Sequence, residues 1–373
     1  MYLGFGNASI RIISSAAIIL IFIGAFVQGP LAILCLFSLI VSFGFKELMD
    51  IPNQKHKAKV KKFNTALYWL IFYTILYFSA IRLFLFHTAI SRVPNLALHF
   101  LLDNHILITM FLCQIILILF ILDLSEGLYK QQFLKFGYAV ITTLFCMITV
   151  YLVIRNLFRG YIWIALPIIL VAINDIFAYI FGRLIGRTQL IKLSPKKTVE
   201  GFISSAIITI IASFFIPFLM TNRPALYCPI KLFNTQFENG SIPYLKIDTG
   251  CKKAAIFINK TVSVCGFHIN MSPFNLHAIV IGTFVSIVGP FGGFMASGFK
   301  RAYKIKDFSD LIPGHGGIFD RIDCQILVQM FVFGYSSAFI KDIDLNYVLY
   351  IIDKLDMNEK LMIHQYLSSI IAA

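Results

Sequence analysis

Charge is scarce in this chain. Only 13% of its 373 residues are Asp, Glu, Lys or Arg, where a soluble domain carries about 25%. Acid is scarcer still: 18 Asp and Glu stand against 32 Lys and Arg, a formal net charge of +14. Hydrophobic residues make up 58% of the chain and the mean hydropathy is +0.82. So little charge on so apolar a chain excludes a water-soluble domain and places it in a bilayer. In a soluble protein the basic excess would point to nucleic acid. In a membrane protein it collects in loops, sets topology and faces anionic headgroups, so no nucleic-acid partner is expected.

Several familiar patterns are also missing. The Cys residues at 35, 113, 146, 228, 251, 265 and 324 form no C-x-x-C pair and no zinc-ligand spacing. Four fall in apolar stretches or, for Cys324, at a helix start. Cys228, Cys251 and Cys265 share one loop and provide for a disulfide if that loop faces an oxidising compartment, with one thiol left over. There is no G-x-x-x-x-G-K-[ST] and no H-E-x-x-H, which excludes the P-loop and the zinc-protease site. No repeat of solenoid length is visible.

Long apolar runs are what the chain has instead. Residues 12–45 contain no Lys, Arg, Asp or Glu and are interrupted by Gly29-Pro30, which predicts two helices joined by a tight turn. Further runs lie near 63–86, 104–122, 136–154, 160–181, 202–221, 276–296 and 324–340. A spanning helix needs about 20 apolar residues, so the fold class is an all-α polytopic integral membrane protein with about nine transmembrane helices. The integral body covers residues 10–341. Residues 342–373 interleave charge with Leu and Ile and predict an amphipathic C-terminal helix.

Loop charge orients the body. Lys46, Lys55, Lys57, Lys59, Lys61 and Lys62 outnumber Glu47 and Asp50 in 46–62, which puts that loop in the cytosol. Alternation brings 182–201 and 297–323 to the same side. The long loop 221–275 then falls on the lumenal side, with N-x-[ST] sequons at Asn239, Asn259 and Asn270.

The two cytosolic stretches carry the unusual polar residues. Residues 297–323 read SGFKRAYKIKDFSDLIPGHGGIFDRID. A loop that only fixes orientation accounts for the Lys and Arg, but not for Gly314, Gly316 and Gly317 around His315. Nor does it account for Asp320 and Asp323 at the entrance to an apolar run. On a helix beginning near Gly317 those carboxylates lie at i and i+3. Buried unpaired they are costly, and a hard divalent cation relieves both, which suits Mg²⁺ with phosphate and water completing its shell. Asp at a helix start also complements the dipole without any ligand. The Gly-rich turn into a helix start predicts a phosphate cradle, and His315 is a candidate phosphate donor or proton carrier.

Residues 174–201 read NDIFAYIFGRLIGRTQLIKLSPKKTVEG. Asp175 sits inside an apolar span, where carboxylates are functional candidates by default. Helical geometry puts Tyr179, Gly182 and Gly186 on its face. Ser194-Pro195 predicts a helix start with Ser194 as cap. Lys196 and Lys197 would then oppose the dipole, which makes sense if an anion binds there; snorkelling to the headgroups explains them otherwise.

These two stretches resemble the CDP-diacylglycerol synthase (phosphatidate cytidylyltransferase) family. One signature runs through Ser297, Phe299, Lys300, Arg301, Lys306, Asp307, Ser309, Ile312, Pro313, His315, Gly316, Gly317, Ile318, Asp320, Arg321, Ile322 and Asp323. The other runs from Asp175, Ala178, Tyr179, Gly182 and Arg183 through S-P-K-K-T to Glu200 and Gly201. The resemblance spans about residues 40 to 340 and is weak at 87–103 and 221–275. Gly293 stands where the bacterial branch carries a metal-binding Asp, so the resemblance is to the eukaryotic branch.

The resemblance implies CTP and phosphatidic acid as substrates, pyrophosphate as leaving group, a homodimer, an endoplasmic-reticulum membrane and a cytosol-facing site. It implies Asp320, Asp323, Lys306 and His315 as catalytic. Substrate would be bound by Ser194, Lys196, Lys197, Thr198, Ser297, Lys300, Arg301, Gly316, Gly317 and Arg321, and Mg²⁺ held by Asp320, Asp323 and Asp175. The competing readings are a CTP-dependent polyprenol or dolichol kinase, which would release CDP, and a membrane transporter.

Overall fold

Gly29 takes a positive φ of 119°, so the chain can reverse between α1 (Leu3–Gln28) and α2 (Pro30–Lys55). The structure is a computed structural model describing residues 3–55, 63–81, 100–101, 104–237, 240–247, 249–264, 267–314, 316–340, 352 and 355–372. After α2 come α3 (Phe63–Leu76), which runs into a π-helical turn at Tyr77–Ile81, α4 (His105–Asp123), α5 (Tyr129–Arg159), α6 (Ile162–Leu184) and α7 (Val199–Met220). A short α8 (Pro224–Tyr227) leads to two hairpins, and α9 (Pro273–Ile287), α10 (Pro290–Ala302), α11 (Phe319–Phe339) and α12 (Met357–Ala372) complete the order.

Among the described residues, seven helical segments are long and apolar enough to cross a membrane: Pro30–Ile51, α4, α5, α6, α7, Pro273–Ala302 and α11. Ile13–Gln28 and Thr65–Ser79 are shorter apolar helices. The protein is therefore a polytopic, mainly helical integral membrane protein. The expected run at 63–86 continues past residue 81, outside the described residues.

The loop 221–275, which reads as a mere connection, holds β1 (Ile230–Phe237) paired antiparallel with β2 (Gly240–Ile247), and β3 (Lys260–Val264) paired with β4 (Phe267–Met271). A Cys228–Cys251 disulfide closes this segment; Cys265 lies outside the described residues. Residues 334–373 form a unit of their own, in which α12 exposes Met357, Leu361, Tyr366 and Ile370.

The helices α6, α7 and α9 meet on small residues. On α7, Gly201, Ser205, Thr209, Ser213 and Pro217 are buried at every fourth position. A Cβ on Gly201 would lie 2.8 Å from the Ala178 carbonyl oxygen and 2.9 Å from the Gly182 Cα of α6. One on Gly282 of α9 would lie 2.4 Å from Ser213 Oγ. Small residues let backbones approach where lipid offers no hydrophobic drive, and Thr209 donates to Asn174 Oδ1 at 3.3 Å within this seam. Gly201→Ala is therefore expected to destabilise the protein by about 1–3 kcal/mol, the usual cost of overpacking. A lowered thermal midpoint in detergent checks it.

Candidate functional site

The site forms where the start of α7, the end of α6 and the α10–α11 pair come together. Thr198 caps α7: its hydroxyl accepts from the Gly201 amide at 3.2 Å. The predicted cap, Ser194, instead opens a tight turn whose Ser194 carbonyl accepts from the Lys197 amide at 3.1 Å. The difference is physical. Pro195 presets the bend at the second position of a turn, and the helix starts four residues later, where a hydroxyl meets a free amide. Likewise α6 ends at Leu184, so Gly186 lies beyond the helix it was expected to extend.

Glu200, in the first turn of α7, holds the loop between the two helices. Its carboxylate accepts from the Arg187 amide (3.0 Å), the Thr188 amide (3.0 Å) and the Thr188 hydroxyl (2.6 Å). The Lys197 carbonyl accepts from the Leu190 amide at 2.9 Å, which ties the turn bearing Lys196 and Lys197 to the same loop. Lys196 is exposed. Lys197 is half-buried, with its ammonium 4.8 Å from the Phe294 ring centroid, a cation–π distance.

Lys197 points at α10 and α11. A Cβ on Gly293 would lie 3.4 Å from Lys197 Nζ, 3.5 Å from Asp323 Oδ2 and 3.5 Å from Cys324 Sγ. Asp323 is 9% exposed, and its Oδ1 accepts from the Cys324 amide at 2.7 Å. Asp175, reaching in from α6, lies within electrostatic range of Lys197, Arg321 and Asp323. Asp175 itself is exposed. The α10 and α11 backbones touch at the same level: a Cβ on Gly292 would lie 2.2 Å from the Asp323 carbonyl oxygen.

Asp320 is placed differently. Its Oδ1 takes the Lys300 ammonium at 2.5 Å, and its Oδ2 accepts from the Phe308 and Gly317 amides at 3.3 Å each. Lys300 Nζ also lies 5.4 Å from the Phe308 ring centroid. The pair predicted on one helix face therefore divides. Asp323 turns to Asp175 and Lys197, whereas Asp320 turns to Lys300 and the loop before the helix.

That loop is tightly folded. Ile312 and Gly316 exchange both backbone hydrogen bonds, at 2.9 and 3.1 Å, and Gly314 and Gly316 have φ of 75° and 79°. His315 lies outside the described residues. The expected phosphate cradle is engaged within the protein: the Gly317 amide donates to Asp320, and the Ile318 and Phe319 amides donate to Glu47. Ser297, Lys300 and Arg301 share the last two turns of α10; Arg301, Lys306 and Arg321 are exposed.

Glu47 is the residue that sequence reading misses. It sits on α2 among lysines and reads as charge balance, yet it is buried against the motif loop. The available signal was its position at the very end of an apolar run, the membrane boundary where the two motif loops also begin.

Among the described residues, no three His, Cys, Asp or Glu side chains converge as a ready metal cage. Asp175 and Asp323 nonetheless lie within electrostatic range of each other, and two carboxylates are donors of the kind taken by a cation that completes its shell from phosphate and water.

The profile of the cytidylyltransferase family matches residues 9–339. The chain is 37% identical to the phosphatidate cytidylyltransferase of Caenorhabditis elegans over 327 residues, covering 87% of this chain and 70% of the relative. It is 37% identical to the Homo sapiens phosphatidate cytidylyltransferase 2 over 338 residues, covering 90% and 75%. The Arabidopsis thaliana phosphatidate cytidylyltransferase 1 is 37% identical over 330 residues, covering 85% and 77%.

Proposed function

The chain belongs to the cytidylyltransferase family, and from this we infer the chemistry of its site. It is a phosphatidate cytidylyltransferase: it transfers the cytidylyl group of CTP to phosphatidic acid, giving CDP-diacylglycerol and pyrophosphate. A phosphate oxygen of the lipid forms the new bond to the α-phosphorus of CTP. The bond from that phosphorus to the β-phosphate bridge oxygen breaks, and pyrophosphate carries away the electron pair. The nucleophile is already anionic near neutral pH, so the work is positioning and charge neutralisation.

The meeting of Lys197 and Asp323 beside Gly293, with Asp175 in electrostatic range of both, carries the reading of the site. Gly293 leaves room, Lys197 supplies a cation, and Asp175 and Asp323 would hold Mg²⁺. When bound, that ion neutralises charge on the triphosphate oxygens. Lys196 and Lys306 on loops, Arg301 at the end of α10 and Arg321 in the first turn of α11, all exposed, would draw the two anionic substrates to the site. Lys300 and Asp320 act as a paired strut under the loop; their ion pair favours that role over direct phosphate or metal contact. The direct test is a product assay. Purified protein with Mg²⁺, CTP and phosphatidic acid in mixed micelles should yield CDP-diacylglycerol and pyrophosphate in equal amounts. CDP in place of pyrophosphate would mark a lipid kinase instead.

We further propose that the site faces the cytosol of an endoplasmic-reticulum membrane, with 221–275 in the lumen, and that the protein is a homodimer. The Cys228–Cys251 disulfide supports the orientation, since such bonds persist in oxidising compartments. Asn259 and Thr261 are exposed, whereas the Ser272 hydroxyl of the Asn270 sequon is buried against Asn275. Glycan is therefore expected at Asn259 and not at Asn270 when the protein is made in a eukaryotic cell. A glycosidase-sensitive mass loss that shrinks by one glycan in Asn259→Gln and is unchanged in Asn270→Gln checks it. Labelling of a cysteine placed at residue 259 from the cytosolic side of intact microsomes would reverse the orientation.

A further inference from the structure

We infer that Glu47 is a positioning residue of the transfer site, one that fixes where α11 begins and so where Asp323 stands; this rests on the cytidylyl-transfer reading above. Glu47 is 6% exposed. Its Oε1 accepts from the Ile318 amide at 2.9 Å and from the Ser309 hydroxyl at 2.5 Å, and its Oε2 accepts from the Phe319 amide at 2.9 Å. A carboxylate of α2 thus caps a helix some 270 residues further along the chain.

Burial of a carboxylate is costly unless its oxygens are satisfied. Here the orphan amides of a helix start satisfy them, and the positive end of the dipole adds to the attraction. Local capping does not require this arrangement. Asp320 already accepts from the Gly317 amide at 3.3 Å from within the helix's own first turn. What the distant carboxylate adds is a fixed position relative to α2. Leu48 and Ile51, on the same helix as Glu47, cluster with Phe308, Phe319 and Ile326, so apolar packing holds the contact in place.

A second observation points the same way. A Cβ on Gly317 would lie 2.8 Å from Glu47 Oε2, so the signature's second glycine of H-G-G leaves room for this carboxylate. One helical turn beyond the cap lies Asp323, whose carbonyl meets Gly292 of α10. The register of α11 is therefore set twice, by Glu47 at its start and by Gly292 beside the site. Ser309 joins the same carboxylate to the loop carrying Lys306.

The test uses the full-length protein in detergent with phosphatidic acid micelles. Glu47→Gln keeps the volume but sets an NH2 donor against either the Phe319 or the Ile318 amide, neither of which can accept. Ser309→Ala removes one contact and leaves α11 capped. For the folded fraction of Glu47→Gln, kcat should fall by roughly 10- to 100-fold, the scale of a misplacement near 1 Å, with the KM for phosphatidic acid within about threefold of wild type. Glu47→Asp should recover part of the loss, and Ser309→Ala should lower kcat in the same direction by less. A folded Glu47→Gln with wild-type kcat and KM and only a lower thermal midpoint would make Glu47 a structural cap and overturn the inference. If Glu47→Gln does not fold, Ser309→Ala decides: unchanged kcat overturns the inference and a reduced kcat supports it. Failure of the wild type itself to release pyrophosphate would instead remove the cytidylyl-transfer reading.

Discussion

Asp323→Asn leaves a folded protein whose pyrophosphate release drops by roughly a thousandfold or more, the scale at which charge stabilisation of a phosphoryl centre operates. The substitution keeps the shape of the side chain and can still accept from the Cys324 amide through its carbonyl oxygen. It removes the negative charge opposite Lys197 and beside Asp175. Folding is expected to survive, because a buried carboxylate near a like charge is not itself a stabilising element. Asp320→Asn is the informative contrast. It breaks an ion pair with Lys300 and weakens two amide contacts, so it should lower the thermal midpoint as well as the rate. Measured kcat and thermal unfolding on the same two samples separate these outcomes. An Asp323→Asn protein with near-normal turnover would take that carboxylate out of the site. An Asp320→Asn protein with an unchanged midpoint but no activity would return Asp320 to the reacting groups.

The division between Asp320 and Asp323 marks what the sequence could and could not say. Both residues stand out, because paired carboxylates at the mouth of an apolar run need a reason. Their separation does not, because Lys300, the residue that diverts Asp320, lies in a different helix. The spans and the two loops on one side are legible from apolar runs and loop lysines, since bilayer thickness and backbone hydrogen bonding leave few alternatives. The glycines of α6, α7 and α10 were visible as residues. Their partners (Ala178 and Gly182 for Gly201, Asp323 for Gly292) belong to tertiary packing. The β1–β2 hairpin of 221–275 carries a local signal. Asn239-Gly240, a common turn dipeptide, falls where two stretches rich in apolar and β-branched residues meet, with Gly240 opening β2. Glu47 offers only its place at the end of an apolar run. Its partners are backbone amides at 318 and 319, and no side-chain pattern announces an amide.

Lys197→Met tests the remaining member of the convergence and is expected to have the second-largest effect. The methionine keeps most of the side chain's length and deletes the ammonium that lies over Phe294 and in electrostatic range of Asp175 and Asp323. Two consequences follow from charge alone. The anionic substrate loses a cation that the low-dielectric edge of the membrane makes strong, which should lower kcat/KM by roughly a hundredfold or more. The two carboxylates also lose a positive neighbour, so their mutual repulsion rises and their demand for a divalent cation grows. The Mg²⁺ concentration giving half-maximal rate should therefore fall even as the maximal rate drops. A loss of steering alone gives another signature, because exposed lysines act at long range and are screened by salt. Lys196→Met, on the exposed neighbour, should show a modest loss that disappears at high ionic strength, whereas the Lys197→Met loss should persist. Rates for both variants across Mg²⁺ and salt titrations decide between these accounts. A Lys197→Met defect that salt abolishes would place the Lys197 ammonium outside the reacting cluster.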